Sequence, residues 1–228
     1  MKTKPALLST FISVAVAFAV TLWAGQLRAN TAALSFTGGS LFLPSDATAG
    51  WVFSLSASVF VTDLGFWDAP SPGEGNFVGD GLFESHLVTI WDTNTMTQLA
   101  QATVTTSGTL VDGFRYTSLT TPMLLAPGDY TIGAYYPADG SDRTAINATT
   151  ITTASGVTYE GSVFTFGNAF PQGGFVAANS YFGPNFQFIE APPTNGTAVP
   201  DSGSTLLLMF GSVSALIGLR RILPAIQD

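Results

Sequence analysis

The sequence predicts an all-β protein, an antiparallel β-sandwich of the jelly-roll type with one apolar helix at each end. Three observations predict it. The middle of the 228-residue chain lacks the i, i+3, i+4, i+7 spacing of amphipathic helices. β-branched and aromatic residues instead recur there at every second position, and turns rich in Gly and Pro separate these runs. Long apolar segments occur at the two ends.

The alternating runs predict the strands in order. In the first, Trp51, Phe53 and Leu55 alternate with smaller side chains, as expected of a strand with one buried face. Further runs occupy residues 59–66, 87–91, 129–136, 163–166 and 182–189. Turn signals lie at residues 70–73, 126–129, 137–140 and 171–174. Strands at this spacing with such turns favour a sandwich of antiparallel sheets.

The N-terminus has the layout of an export signal. Lys2 and Lys4 precede a nearly uninterrupted apolar run from Leu7 to Trp23, and small residues follow it. This order is typical of a secretory signal peptide, so we assign residues 1–29 to a signal helix that the secretion machinery recognises. An uncleaved membrane anchor is the alternative, and export follows from either.

The C-terminus combines three features in a fixed order. A short motif comes first, an uncharged apolar run from Ser204 to Leu219 follows, and two arginines end it. The motif consists of Val199, Pro200, Asp201, Ser202 and Gly203, and the basic pair is Arg220 and Arg221. As a helix the run would be roughly 24 Å long, enough to form a transmembrane helix if the bilayer thins slightly. The arginines then act as stop-transfer residues on the cytoplasmic side and leave the large domain outside. A plain anchor is the alternative and has the same topology.

Together these C-terminal features resemble the VPDSG variant of the PEP-CTERM sorting signal, which would occupy residues 199–228. The resemblance implies recognition by an exosortase-type sorting protease that cleaves near Val199–Gly203. It also implies a bacterium that exports polysaccharide, and transient membrane anchoring before release to the cell surface or extracellular matrix. The tail from Ile222 to Asp228 is longer than such signals usually carry.

Residues 30–190 form the predicted extracellular domain, and residues 191–198, rich in Pro and small polar residues, form a predicted linker. Parts of the domain resemble an extracellular β-sandwich domain that is common in PEP-CTERM proteins and has no assigned activity. The resemblance is carried by Leu64–Asp68, Asp80–Leu82, Ser85–Val88, Ile90–Asp92, Gly113–Tyr116 and Ala126–Tyr136.

The charge and cysteine counts exclude several classes of function. The chain has 7 basic and 15 acidic residues, of which five basic and two acidic ones lie in the terminal segments, so the middle carries 2 − 13 = −11. Binding to nucleic acid depends on Lys and Arg that neutralise phosphates, so we expect none. Because the chain has no cysteine, disulfides, thiolate metal sites and a lipoprotein anchor are excluded.

Carboxylates are frequent between Thr62 and Asp92, a segment without Lys or Arg. Calcium prefers several carboxylate and carbonyl oxygens from loops, so we hypothesise a discontinuous calcium site. Its candidate ligands are Asp63, Asp68, Asp80 and Glu84. We expect no other cofactor. Trp67, beside a loop rich in Gly and Pro, is the candidate for stacking on a sugar ring.

His86 is the only histidine, and it follows Ser85 in a predicted strand. Neighbours in a strand point to opposite faces, so this pair does not form a Ser-His-Asp triad. We expect His86 to have a structural role and to hydrogen-bond a loop. No catalytic residue is predicted. The leading interpretation is a surface-sorted, non-enzymatic protein associated with extracellular polysaccharide. The alternative is a carbohydrate-binding module, with or without support by calcium. A small hydrolase ranks third.

Overall fold

The computed structural model describes residues 30–70, 77–173 and 179–192, and this part of the chain is all β-structure. Its strands are β1 (Thr31–Ala32), β2 (Leu34–Thr37), β3 (Ser40–Phe42), β4 (Ala47–Leu55), β5 (Val59–Trp67), β6 (His86–Asp92), β7 (Gln98–Val104), β8 (Thr109–Val111), β9 (Phe114–Leu125), β10 (Gly128–Tyr136), β11 (Thr144–Ile146), β12 (Thr150–Thr153), β13 (Val157–Phe166) and β14 (Pro184–Glu190). No described segment is a helix long and apolar enough to cross a membrane. The two predicted terminal helices lie outside the described residues.

Two five-stranded antiparallel sheets form the layers of a sandwich. The first has the strand order β1-β14-β5-β9-β8 and the second β13-β4-β10-β6-β7. Two short ribbons, β11 with β3 and β12 with β2, accompany them. Most neighbouring strands are far apart in the sequence. The predicted all-β, antiparallel class is confirmed.

The core between the sheets is rich in aromatic rings. Trp51 and Phe53 of β4 lie against Phe186 of β14, with ring centroids 6.1 and 4.9 Å apart. The indole nitrogen of Trp51 donates to the carbonyl of Pro184 at 2.9 Å, so the polar group of this buried ring is satisfied. The alternation predicted for residues 51–55 therefore does mark a buried face.

A bulge changes the phase of burial along β5. The core residues are at odd positions in its first half, Val59 and Val61, and at even positions further on, Leu64 and Phe66. Thr62 is the extra residue, because the partners of its two neighbours are adjacent on β14. One inserted residue moves the following side chains to the opposite face. The bulge thus explains why the predicted strand continues although its alternation shifts.

Two of the predicted turns are confirmed. The signal at 126–129 covers the two residues between β9 and β10 and the first two of β10. The signal at 137–140 follows β10, where the amide of Gly140 donates to the carbonyl of Pro137 at 3.2 Å. The signals at 70–73 and 171–174 run into residues outside the description. Alternation did not predict the strands β1, β2, β3, β7, β8, β9, β11 and β12. The compact unit that contains the sandwich ends at Ala191.

A pair of glycines allows β4 and β10 to approach at the centre of the second sheet. Gly50 and Gly133 lie opposite each other in the register of these strands. A Cβ atom on Gly50 would lie 1.9 Å from the carbonyl oxygen of Ile132, which is backbone and cannot rotate away. The position therefore requires glycine.

Candidate functional site

Two carboxylates join the chain just before β6 to the loop after β10. The carboxylate of Asp142 accepts hydrogen bonds from the backbone amides of Phe83, at 3.0 Å, and Glu84, at 3.1 Å. In return, Oε1 of Glu84 accepts from the amides of Ser141, at 2.8 Å, and Asp142, at 3.2 Å. Each carboxylate thus holds the backbone that carries the other. We refer to Glu84, His86 and Asp142 as the clasp.

His86 completes the clasp at the start of β6. Its side chain is fully buried, and its ring stacks on that of Phe66 with centroids 3.7 Å apart. Nδ1 lies 3.1 Å from the carbonyl oxygen of Tyr135, and Nε2 lies 3.0 Å from Oδ2 of Asp142. Because Asp142 is in the loop after β10, the expected hydrogen bond from His86 to a loop is confirmed. Ser85, the residue directly before β6, is exposed, whereas His86 is buried.

The partners of His86 determine what its two ring nitrogens do. The carbonyl of Tyr135 can only accept, so Nδ1 carries a proton and donates to it. A carboxylate also only accepts, and a neutral imidazole has a single N–H. The short contact between Nε2 and Asp142 therefore needs either a proton shared by the two groups or a bound cation between the two atoms. Oε1 of Glu84, 4.0 Å from Nε2, faces the same position.

The first of the four predicted calcium ligands has partners of its own. Asp63 lies on β5 with 7% of its surface exposed. One of its oxygens accepts from Nδ2 of Asn30 at 2.8 Å and the other from the hydroxyl of Ser118 at 2.5 Å. An amide and a hydroxyl thus stabilise this buried carboxylate.

Asp68 and Asp80 act at the other end of β5. The fully buried Asp68 accepts from Nε of Arg115 at 2.6 Å through Oδ2 and from the amide of Gly81 at 3.0 Å through Oδ1. Oδ2 of Asp80 accepts from the amide of Phe77 within the same loop, at 3.1 Å. A base distant in the sequence therefore does neutralise Asp68.

Among the described residues, Glu84 shares a metal-capable cluster with His86 and Asp142, not with Asp63, Asp68 or Asp80. Binding of calcium by the predicted set stays a prediction. Sequence reasoning missed Asp142, because no motif connects it with His86, 56 residues away. The turn signal at 137–140, followed directly by an acid, is the one local indication.

Trp67, the predicted stacking residue, is a core residue. Its exposed fraction is 9%, and its ring packs edge-on against Phe36 with centroids 5.0 Å apart. A ring that stacks on a sugar must offer an open face. The position of Trp67 favours a structural role and lends no support to sugar binding.

The predicted sorting motif, apolar run and basic pair lie in residues 199–228, outside the described part of the chain. A family model for the VPDSG-CTERM motif matches residues 198–223. The match contains Arg220 and Arg221 and ends at the residue before Pro224. The predicted VPDSG-type signal is thereby confirmed, and it points to an exported, surface-sorted protein. It is also consistent with processing by an exosortase-type protein. A search of curated proteins finds no match to the chain.

Proposed function

We propose that this protein is a non-enzymatic β-sandwich that is exported, processed at its C-terminus and retained in or on the extracellular polysaccharide matrix. The observation that carries the proposal is the VPDSG-CTERM motif at residues 198–223, which follows in the sequence a compact β unit that ends at Ala191. A sorting signal acts on the domain that precedes it, so the sandwich is the cargo.

The order of segments along the chain supports the export step. The apolar run from Leu7 to Trp23 follows two lysines, as in a signal peptide that directs the nascent chain across the membrane. The run from Ser204 to Leu219 with Arg220 and Arg221 then stops transfer. In this arrangement the sandwich lies outside the membrane and the motif lies within reach of a membrane protease.

Intact-mass measurement on protein from the cell surface tests the processing step. We expect a species that lacks residues 1–29 and ends near Val199–Gly203. The matched variant replaces Pro200 and Asp201 by alanine, and the control replaces Asn195 in the linker. The motif variant should stay in the membrane fraction while the control is released. Recovery of peptides containing Arg220 and Arg221 from surface material would contradict processing but not export.

Association with polysaccharide needs a separate test. Enzymatic removal of the matrix polysaccharide should release the processed protein into the medium, and the purified protein should sediment with isolated polysaccharide. Protein that stays on the cells after the polysaccharide is gone would contradict the matrix role. A glycan array, run with calcium and with EDTA, would detect the alternative function as a carbohydrate-binding module through binding to one defined glycan.

A further inference from the structure

The contacts of His86 leave one ring nitrogen directed at two carboxylates. Nδ1 donates to the carbonyl of Tyr135, so in the neutral ring Nε2 carries a lone pair and no proton. Nε2 lies 3.0 Å from Oδ2 of Asp142 and 4.0 Å from Oε1 of Glu84. The ring and Asp142 are buried, with exposed side-chain fractions of 0% and 1%. Nε2 and the two carboxylate oxygens, all buried or half-buried, converge on one point that must hold a proton or a cation. We propose that the clasp binds one divalent transition-metal ion of the zinc class, with His86, Asp142 and Glu84 as its ligands.

The distances fit such an ion after a small adjustment. The three candidate ligand atoms all lie within 4.8 Å of one another. Ligands that bind zinc at roughly 2.0–2.1 Å in a tetrahedron are about 3.3 Å apart. The separation of 3.0 Å between His86 and Asp142 would widen by a few tenths of an ångström, and that of 4.0 Å to Glu84 would shorten. The larger of the two movements is that of Glu84, whose side chain is 24% exposed.

The surroundings of the clasp hold the ligands as metal sites usually do. A histidine that binds a metal almost always donates its other N–H to a carboxylate or a carbonyl, and Tyr135 provides that carbonyl. Stacking on Phe66 fixes the plane of the ring. The amides of Phe83 and Glu84 orient the carboxylate of Asp142. The protein thus holds His86 and Asp142 within a few tenths of an ångström of the separation that the ion needs, and Glu84 makes the larger adjustment.

The donor set selects the class of ion. One imidazole nitrogen with two carboxylate oxygens suits zinc and its neighbours, whereas calcium takes six to eight oxygens. Three protein ligands leave a fourth tetrahedral position for water. This site differs from the predicted calcium set, with which it shares Glu84 alone.

Metal titration of the full chain, purified in detergent and stripped with a chelator, tests the proposal. We expect one zinc ion per chain by calorimetry, a higher melting temperature with zinc than with EDTA, and a smaller effect of calcium. X-ray absorption of the zinc-loaded chain should show a shell of nitrogen and oxygen atoms at about 2.0–2.1 Å. Absence of stoichiometric zinc binding would mean that a proton between His86 and Asp142 takes the place of the ion, and the proposal would fail.

A matched pair of glutamate variants locates the site. Glu84→Gln removes a ligand charge but keeps an oxygen that can accept from the amides of Ser141 and Asp142, so the fold should persist. Glu160→Gln changes an exposed glutamate that bonds Ser54. We expect the first variant to weaken zinc binding about tenfold or more and the second to leave it unchanged. Equal affinity in the two variants would place the bound zinc elsewhere and overturn the assignment.

Discussion

Replacement of Arg115 by methionine should destabilise the sandwich by about 3–5 kcal/mol, because it leaves a buried charge without its partner. Nε of Arg115 lies 2.6 Å from Oδ2 of Asp68, whose side chain is fully buried. The amide of Gly81 continues to donate to the other oxygen, so one hydrogen bond survives while the ionic partner is lost. Methionine retains most of the apolar stem of arginine. The arginine is 16% exposed, so solvent screens the pair only slightly.

Urea unfolding followed by tryptophan fluorescence measures this loss, and Arg143→Met is its control. Arg143, the other basic residue of residues 30–190, forms no ion pair with a described residue, so its replacement should change the free energy of unfolding by about 0.5 kcal/mol or less. The double variant with Asp68→Asn should be more stable than Arg115→Met alone, since it buries no charge. The reasoning is refuted if Arg115→Met and the control are equally stable. It is also refuted if the double variant loses as much free energy of unfolding as the two single variants together.

Three further predictions follow from the core. Gly50→Ala should lower the free energy of unfolding by about 3 kcal/mol, because the new Cβ would lie 1.9 Å from the carbonyl oxygen of Ile132. Gly167→Ala places its Cβ with nothing within 4 Å, so it should cost only about 1 kcal/mol, from left-handed backbone strain. Burial raises the pKa of the Tyr116 hydroxyl above its ordinary value of about 10, so the folded state holds the proton longer than the unfolded one. The contribution of Tyr116 to stability should therefore fall by up to about 1.4 kcal/mol per pH unit above pH 10, and urea unfolding between pH 8 and 11 should show a shallower fall in Tyr116→Phe. Trp67→Ala should cost about 3–5 kcal/mol in urea unfolding, as for a core ring, and a cost below about 1 kcal/mol would restore it as a surface residue.

Alternation located strands in which large apolar residues recur at every second position, even where the smaller residues between them are buried too. β4 alternates buried and half-buried residues after Trp51, whereas β10 is buried throughout Tyr130–Ala134, and both were located from the sequence. β9, the longest strand, was missed because exposed and half-buried threonines, Pro122 and Met123 interrupt its pattern between Tyr116 and Leu125. The short ribbon strands β3 and β11 were missed for another reason. β3 is exposed along its whole length, so burial imposes no period on its sequence.

The clasp could be predicted only in part, because its contacts join distant parts of the sequence. The structural role of His86 was predicted by a local argument, from its position next to Ser85 in a predicted strand. Its pairing with Asp142 depends on the antiparallel pairing of β6 with β10, which brings the chain before β6 beside the loop after β10. Residue types and spacing do not encode that pairing. The sorting signal is the opposite case, since its motif, apolar run and basic pair are contiguous.

The burial of individual carboxylates alters what the excess of acidic residues implies about the protein surface and about metal binding. Asp63, Asp68 and Asp142 are buried, so three of the thirteen acids counted in the middle of the chain do not contribute an exposed charge. Each is stabilised by groups far away in sequence, at separations of 33, 47 and 56 residues to a principal partner. The absence of nearby bases, which suggested calcium, therefore says little in a sandwich where neighbours in space come from other strands. Asp63 and Asp68 face donors. Asp142 also accepts from two backbone amides, but its Oδ2 in addition faces Nε2 of an imidazole whose other nitrogen, Nδ1, donates to Tyr135. Among these three buried acids, Asp142 alone therefore provides a physical reason to look for a cation.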